Sequence, residues 1–374
     1  MKINRTKFVI CIVAAFMTGA LLMGGIVAFR EGQSQAVTNN GKFREISDTI
    51  SQYYLRDYDD DELIEEAYKG YVEGLGDPYS VYMTKEEYEN WEASATGEYS
   101  GVGITFSQDE KGRYIVVSVT KNSPAEKAGI EPGDQLLKVD GKSYDDMDLM
   151  AARIRGEEGT QVEITYSRDG KKKTADMTRA VIHQESVEYE MLEGDTGYIC
   201  ITSFIDNTGD DFSKALSKLE KKGAKRLVLD LRDNGGGIVD ECIEVADEFL
   251  DEGVVCYVED KDGNTDTYDA EDGKTDLPTV VLVNGNSASA SEILAGALKD
   301  NGFEIVGTKT FGKGVIQGTF NLEDGSAIKL TVMQYLSPDK NVIHEKGIKP
   351  TVKVKDDEST EKDEQLEKAL EVIK

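Results

Sequence analysis

The sequence predicts a multidomain α+β protein, in which an N-terminal transmembrane helix and a small helical segment precede a β-rich module and an α/β core. Three observations lead to this prediction. The N-terminus contains a long uncharged stretch, the hydrophobic period changes to two near Tyr99, and strands alternate with helices beyond Val187. The chain has 374 residues, 39% of them hydrophobic and 31% charged. We therefore expect two or three folded units and exclude a disordered or fibrous chain.

The N-terminal stretch predicts a membrane anchor within residues 1–30. Phe8–Phe29 contains 22 residues without a charge, and a helix of this length extends about 33 Å, enough to cross a bilayer. Lys2, Arg5 and Lys7 precede it, and the positive-inside rule then keeps the N-terminus in the cytoplasm. The alternative is a cleaved signal peptide, whose apolar core is usually only about 7–15 residues long. We expect a single-pass plasma-membrane protein whose remaining chain is extracytoplasmic.

The charge and the rarity of metal-binding side chains exclude several classes of partner. The chain has 43 basic and 72 acidic residues, a formal net charge of −29, and all acidic residues lie beyond Arg30. Nucleic acids bind clustered Lys and Arg, so no nucleic-acid partner is expected. The four cysteines lack C-x-x-C spacing and there are only two histidines. We predict neither a metal nor another cofactor.

Residues 31–95 predict a short polar tether, up to residue 40, followed by a helical segment. Apolar residues recur at helical spacing in two stretches: Phe43, Ile46, Ile50 and Tyr53, then Leu63, Ala67, Tyr71 and Leu75. A capping box at Thr84–Glu87 begins a third helix. Such an apolar stripe usually packs into the core of its own chain. The alternative is a dimerising or docking face.

Residues 96–180 predict a small β-rich module with one helical piece at Asp146–Ile154. Glycines near the start of its first strand can direct backbone N–H groups at a carboxylate; the residues concerned are Gly101, Val102, Gly103 and Ile104. The runs Ser123–Ile130 and Pro132–Gly141 follow, and with them the module resembles the PDZ family. This resemblance implies binding of peptide C-termini. Arg155 is a candidate cation for the carboxylate, or else a solvated surface arginine.

Residues 181–353 alternate strand and helix, which predicts an α/β core with a largely buried parallel sheet. Residues 354–374 predict a charged linker and one helix. The first candidate loop of the core is Asp230–Gly237, whose three consecutive glycines suit an oxyanion site at a helix start. A nucleotide-binding pattern is absent there. The remaining alternative is a plain strand-to-helix turn.

Two further segments of the core could carry a nucleophile and its base. Ser289 lies in the small-residue run Asn284–Glu292 at a predicted helix start, where it could act as a nucleophile or simply as an N-cap. Lys313 lies between two glycines, where it is either a solvated turn residue or a base that burial keeps neutral. Histidine is a second possible base, through His183 or His344, although no G-x-S-x-G pattern supports a Ser-His-Asp triad.

The chain contains, in this order, the PDZ-like module and the motifs D-L-R-D-N-G-G-G, S-A-S-A-S-E and T-F-G-K-G-V-I-Q. With this order of motifs, residues 40–352 resemble the carboxy-terminal processing (tail-specific) peptidases. The resemblance implies a crotonase/ClpP-like core in which Ser289 is the nucleophile, Lys313 the general base and Gln317 the partner of the lysine. It also implies an oxyanion hole formed by the N–H groups of Ala290 and of glycines such as Gly235 and Gly236. Because Lys313 and Gln317 would lie about 13 Å apart on an extended strand, their contact requires a turn near Gly314.

The sequence thus predicts an extracytoplasmic serine endopeptidase that processes or degrades exported proteins and recognises free C-termini through its PDZ domain. Its partners would be protein or peptide substrates, and the terminal helical extensions suggest a homodimer by the same resemblance. One alternative is a catalytically inactive PDZ scaffold. The other is an acyl-CoA hydratase-like enzyme, which the exported location disfavours.

Overall fold

The computed structural model describes residues 40–109, 111–144, 146–271, 275–355 and 362–373. The predicted transmembrane helix at Phe8–Phe29 and nearly all of the tether lie outside these residues. Within the described ranges, no helix is both long enough and apolar enough to cross a bilayer. The chain divides into two compact units, the first ending at Ile64 and the second beginning at Glu65.

Two amphipathic helices open the described chain, as their hydrophobic spacing predicts. They are α1 (Asn40–Tyr53) and α2 (Asp60–Glu73). Three residues of the predicted apolar stripe remain largely exposed: Phe43 at 52%, Tyr53 at 73% and Tyr71 at 75%. The interpretation of this stripe as core of its own chain is therefore wrong for these side chains.

The stretch between the helical pair and the β-rich module consists of β1 (Val81–Met83) and α3 (Lys85–Thr96). The predicted capping box is confirmed. The Thr84 hydroxyl accepts the N–H of Glu87 at 3.3 Å, and the Glu87 carboxylate accepts the N–H of Thr84 at 2.8 Å. These reciprocal bonds satisfy two of the donors that a helix start leaves unpaired.

The β-rich module is a five-stranded antiparallel sheet in the order β3-β4-β5-β6-β7. Its elements are β2 (Glu98–Gly101), β3 (Ile104–Gln108), β4 (Tyr114–Val119), α4 (Pro124–Lys127), β5 (Gln135–Val139), α5 (Met147–Ile154), β6 (Gln161–Arg168), β7 (Lys171–Thr178) and β8 (Ala180–His183). Strand β2 pairs antiparallel with β8, so that the module is entered and left through one two-stranded ribbon. The sequence analysis missed β7, because lysines replace the alternating pattern on this edge strand.

The α/β core contains the remaining elements. They are β9 (Val187–Leu192), β10 (Thr196–Ile201), α6 (Thr208–Lys221), β11 (Arg226–Asp230), α7 (Val239–Asp247), β12 (Gly253–Asp260), β13 (Thr265–Ala270), β14 (Thr279–Val283), α8 (Ala290–Asp300), β15 (Glu304–Gly307), β16 (Val315–Asn321), β17 (Ala327–Leu336), β18 (Val352–Lys353) and α9 (Glu364–Val372).

The first sheet of the core has the order β18-β15-β14-β11-β10-β9, and all its pairs except β10 with β9 are parallel. One face, with Leu229 and Val281, packs against α6, α7 and α8. The other face, with Val228 and Leu282, packs against Ala369 of α9. Both faces are buried, which explains the continuous apolar runs of these strands. The predicted parallel sheet and C-terminal helix are confirmed.

A second sheet of the core is antiparallel. Strand β17 pairs with β1, β12 and β16, and β12 pairs with β13. The prediction of a parallel sheet from the alternating strands and helices is therefore wrong for Val254–Val258, which lies in the antiparallel β12. Its apolar period predicts a buried strand, but the period does not say which neighbour a strand pairs with. Because β1 pairs with β17, the stretch before the PDZ-like module forms part of the core.

The packing of α9 predicts a clear difference between two neighbouring positions. Ala369 is fully buried against the sheet, whereas the Lys368 side chain is 42% exposed and pairs with Glu371 at the surface. We expect Ala369→Asn to lower the free energy of unfolding by about 1–3 kcal/mol, because an amide is buried without a partner. We expect Lys368→Asn to change it by less than about 0.5 kcal/mol. Urea titrations followed by circular dichroism would measure both, and equal effects would show that α9 does not pack as described.

Candidate active site

Ser289 lies at a sharp turn between the buried strand β14 and helix α8. Its backbone has φ +56° and ψ −120°, a left-handed conformation that is uncommon and strained for a residue other than glycine. Its side chain is half-buried, while Ala288 and Ala290 on either side are buried. Ser289 does occupy the N-cap of α8, as the alternative interpretation held. A strained strand-to-helix turn that carries a serine is also the arrangement of a nucleophile elbow.

The loop Asp230–Gly237 packs directly on this turn. A Cβ added to Gly236 would lie 2.6 Å from Cβ of Ser289 and 2.9 Å from N of Ala290, so only glycine permits the contact. Asn234, which is fully buried, joins the two loops. Its carbonyl oxygen accepts the N–H of Ala288 and the hydroxyl of Ser291, each at 3.0 Å. The two loops that the sequence analysis proposed separately thus form one site.

The N–H groups proposed for the oxyanion hole differ in their availability. The N–H of Gly236 donates to the side-chain oxygen of Asn234 at 2.8 Å. For Ala290 and Gly235, the described part of the chain provides no hydrogen-bond acceptor for the N–H. Ala290 also lies in the first turn of α8, where the helix dipole favours negative charge. These two N–H groups are therefore the ones free to stabilise an oxyanion in this conformation.

Glu292 connects the serine turn to the lysine loop. Its side chain is fully buried. One carboxylate oxygen accepts the hydroxyl of Thr310 at 2.5 Å and the N–H of Gly312 at 2.7 Å. The other accepts the N–H of Lys313 at 2.8 Å and that of Ser289 at 3.0 Å. From the sequence, Glu292 is only the residue three positions after Ser289, where a capping box has its carboxylate; its bonds to residues 310–313 depend on the tertiary fold.

Lys313 lies in the loop between β15 and β16, within reach of the serine turn. A Cβ added to Gly314 would come within 2.2 Å of N of His344, so the loop can lie this close only with glycine there. The buried Tyr335 strengthens the junction, because its hydroxyl lies within hydrogen-bonding distance of the carbonyl oxygens of both Ser289 and Lys313. Tyr335 was not predicted, and its position on an ordinary apolar strand gives no local signal.

The surroundings of Lys313 favour its neutral form. Burial lowers the pKa of its ammonium group below the usual value, and the positive charge of Lys329 lowers it further. Asp77 and Glu292 act in the opposite direction. The ammonium lies 5.2 Å from the centre of the Tyr79 ring. The lysine is thus half-buried rather than solvated, and its pKa is shifted in the direction that a general base requires.

No hydrogen bond joins Nζ of Lys313 to Oγ of Ser289 among the residues that the structure describes. Gln317 donates to the hydroxyl of Thr331 at 3.3 Å rather than to the lysine. The pairing of β16 with β17 shifts register between Ile316 and Gln317, which redirects the strand at this point. The backbones of Ser289 and Lys313 therefore lie together at the Glu292 carboxylate, while the catalytic roles of Ser289, Lys313 and Gln317 stay predictions.

The two histidines have different surroundings. The exposed His183 lies 2.9 Å from the carboxylate of Glu98 on the β2–β8 ribbon. His344 adjoins Gly314, and its ring centre lies 6.4 Å from that of Tyr79. Only the tertiary fold brings His344 to the lysine loop. Within the described ranges, no cluster of three or more His, Cys, Asp or Glu side chains could hold a metal ion.

The residues proposed for peptide binding lie around one cleft of about 690 Å³. Val102, Gly103, Ile104 and Arg155 line it. Gly101 ends β2 beside Tyr99, whose ring lies 5.4 Å from the guanidinium of Arg155. The cleft is also lined by Glu185 and Glu188, which belong to the core, and by residues of α3. A peptide in this cleft would touch the module and the core together.

Family models match three parts of the chain. The model of peptidase family S41 matches residues 195–354, a PDZ domain model matches residues 100–178, and the N-terminal domain model of the activating protease CtpB matches residues 23–87. The predicted α+β organisation with PDZ and peptidase domains is confirmed.

Two relatives and one solved structure are similar over most of the chain. The carboxy-terminal processing protease CtpA of Bacillus subtilis (strain 168) is 40% identical over 331 residues, covering 86% of this chain and 71% of that one. A CtpA-like serine protease of Staphylococcus aureus (strain COL) is 39% identical, covering 85% of this chain and 65% of that one. The structure of the photosystem II D1 C-terminal processing protease is 30% identical with a TM-score of 0.50, covering 85% and 88%.

The chain therefore belongs to peptidase family S41, the family of the carboxy-terminal processing proteases. It is a serine peptidase, and the resemblance found in the sequence is confirmed.

The contacts of Glu292 predict a large effect of a small substitution. In Glu292→Gln, an amide NH₂ group would face two N–H donors and lose both bonds. We expect acylation of the serine to slow about a hundredfold, because the two catalytic loops separate slightly. A fluorophosphonate probe would measure the acylation rate. The exposed Glu323→Gln serves as the matched control, and a wild-type rate in Glu292→Gln would contradict the positioning role.

Proposed function

We propose that this chain is a membrane-anchored, extracytoplasmic endopeptidase that processes exported proteins with a Ser289–Lys313 dyad. The observation that carries the proposal is the Glu292 carboxylate, which accepts the N–H groups of both residues and so holds them side by side. The backbone strain at Ser289 and the lowered pKa of Lys313 support the same assignment.

The proposed reaction needs only groups that this chain supplies. Oγ of Ser289 attacks the scissile carbonyl while neutral Lys313 takes its proton. The N–H groups of Ala290 and Gly235 stabilise the oxyanion, and Gly236 could add its N–H after releasing Asn234. Lys313 then returns the proton to the leaving amine, and water hydrolyses the acyl-enzyme by the same steps. In this scheme Gln317 orients the lysine once the side chains move together.

The proposed membrane location of the peptidase and its proposed recognition of C-termini rest on separate features of the chain. The uncharged Phe8–Phe29 stretch behind Lys2, Arg5 and Lys7 supports a plasma-membrane anchor with the peptidase outside. The cleft that holds Arg155 supports recognition of a free carboxylate by the PDZ domain. The exposed stripe of α1 and α2 supports a homodimer, because apolar surface of this kind is stabilised by covering it.

The alternatives are less well supported. An acyl-CoA hydratase-like activity has no support from the family match. An inactive PDZ scaffold would not need a strained serine beside a lysine of lowered pKa. A fluorophosphonate would label the serine of the peptidase but not that of an inactive scaffold.

The dyad predicts that three substitutions abolish cleavage. We expect Ser289→Ala, Lys313→Ala and Lys313→Arg each to lose at least about a thousandfold in kcat/KM with the fold intact, since a guanidinium cannot give up its proton to act as base. Peptide cleavage and circular dichroism measure the two properties. Substantial turnover in any purified variant would exclude the Ser–Lys mechanism.

The lysine base predicts the pH dependence. Below the apparent pKa the ammonium form predominates, so the rate should fall about tenfold per pH unit, and above it the rate should level off. Burial places this pKa below the usual value of about 10.4. Because His344 adjoins the lysine loop, the double variant His183→Gln with His344→Gln is the decisive comparison. Its profile should keep the same shape, and loss of the basic limb would assign the role to histidine.

The PDZ cleft predicts a preference for free C-termini. Peptides with a free carboxylate should be cleaved about tenfold faster than the same peptides amidated, since an arginine–carboxylate bond is among the stronger hydrogen bonds. Arg155→Gln should remove this preference, whereas Arg153→Gln, its neighbour on α5, should keep it. Equal cleavage of both peptide forms by the unaltered protein would mean that the module does not sense C-termini.

A further inference from the structure

The wall of the site that faces the Lys313 ammonium comes from the stretch between α2 and β1. Tyr79 of this stretch has its ring centre 5.2 Å from Nζ of Lys313. The peptidase family model begins only at residue 195, so Tyr79 lies outside the part of the chain that carries the predicted catalytic residues. The sequence around Tyr79 gives no local signal of a functional role.

The position of Tyr79 is fixed by a turn whose polar groups are paired. The Asp77 carboxylate accepts the N–H of Tyr79 at 3.0 Å and the hydroxyl of Ser80 at 2.5 Å. The buried hydroxyl of Ser80 accepts the N–H of Thr331 on β17 at 3.0 Å. The next residues form β1, which pairs with β17. The turn that carries Tyr79 is therefore attached to β17, the strand whose Thr331 hydroxyl also accepts a hydrogen bond from Gln317.

The charges around the ammonium act in opposite directions. Lys329 on β17 disfavours the protonated form, while Asp77 and Glu292 favour it. The hydroxyl of Tyr335 contacts the backbone carbonyl of Lys313, and the ring centre of His344 lies 6.4 Å from that of Tyr79. The face of an aromatic ring attracts a cation but not a neutral amine. The Tyr79 ring therefore adds a preference for the protonated lysine, whose Nζ has no hydrogen bond to the serine hydroxyl among the described residues.

We propose that Tyr79 is a positioning residue, whose ring holds the protonated Lys313 side chain and releases it towards Ser289 once the ammonium has lost its proton. The proton passes to solvent, the attraction of the ring for the cation ends, and the neutral amine can then accept the proton of the serine hydroxyl. This role rests on the proposed Ser289–Lys313 mechanism. The N-terminal segment would thus set the pH at which the peptidase becomes active.

The test compares Tyr79→Leu with Tyr79→Phe in the full chain. The readout is the rate at which a fluorophosphonate labels the serine, measured across pH. We expect Tyr79→Leu to lower the apparent pKa by about 0.4–1.5 units and so to label about three- to thirtyfold faster below that pKa, because a cation–π contact of this strength is lost. Tyr79→Phe keeps the ring and should keep the wild-type profile. Tyr189→Leu should keep it too, because this exposed tyrosine ring lies 5.2 Å from the ammonium of Lys218, away from the dyad.

A merely structural tyrosine would change the plateau rate but leave the apparent pKa unchanged, and that result in Tyr79→Leu would overturn the proposal. If Tyr79→Leu does not fold, phenylalanines of increasing fluorination at position 79 keep the shape while weakening the ring's attraction, and the pKa should fall stepwise. A constant pKa across that series would overturn it equally. Repeating the series with His344→Gln assigns the titration to the lysine. Wild-type labelling of Lys313→Ala would instead refute the dyad itself.

Discussion

The site depends on one buried carboxylate. Glu292 has no exposed surface, and burying such a group is costly unless its oxygens accept hydrogen bonds. Its oxygens accept bonds from Ser289, Thr310, Gly312 and Lys313. Satisfying the carboxylate therefore requires the serine turn and the lysine loop to lie side by side. This requirement fixes the geometry of the two backbones before any substrate binds.

Close approach of the loops is the second condition, and glycine supplies it. A Cβ at Gly236 would collide with the serine turn, and one at Gly314 would collide with His344. Asn234 then uses its side chain and carbonyl to bind the loops that meet there. Packing and hydrogen bonding thus act together, because the bonds between the loops need a short distance between their backbones, and glycine, which has no side chain, allows it.

Segments far from the peptidase motifs complete the surroundings of the site. The stretch before the PDZ domain supplies β1 and the Tyr79 ring. At the other end of the chain, Asp363 at the N-cap of α9 pairs with Arg232, which also pairs with Asp230. The glycine-rich loop beside the serine is therefore attached to the C-terminal helix. Segments before the PDZ domain and after the peptidase core therefore both contact the parts of the core that form the site.

Local patterns in the sequence determined the helices α1 and α2, the capping box at Thr84, the PDZ strands β3 to β6 and the parallel sheet, because hydrophobic period and caps depend on neighbouring residues. Motif order was enough to predict the peptidase class and to select Ser289 and Lys313 as candidates. Only the tertiary structure decided that β12 joins the antiparallel sheet, that Glu292 bonds the lysine loop, and that Tyr79 faces the ammonium. The period of a segment records how it is buried, but the identity of its partner depends on how distant parts of the chain pack.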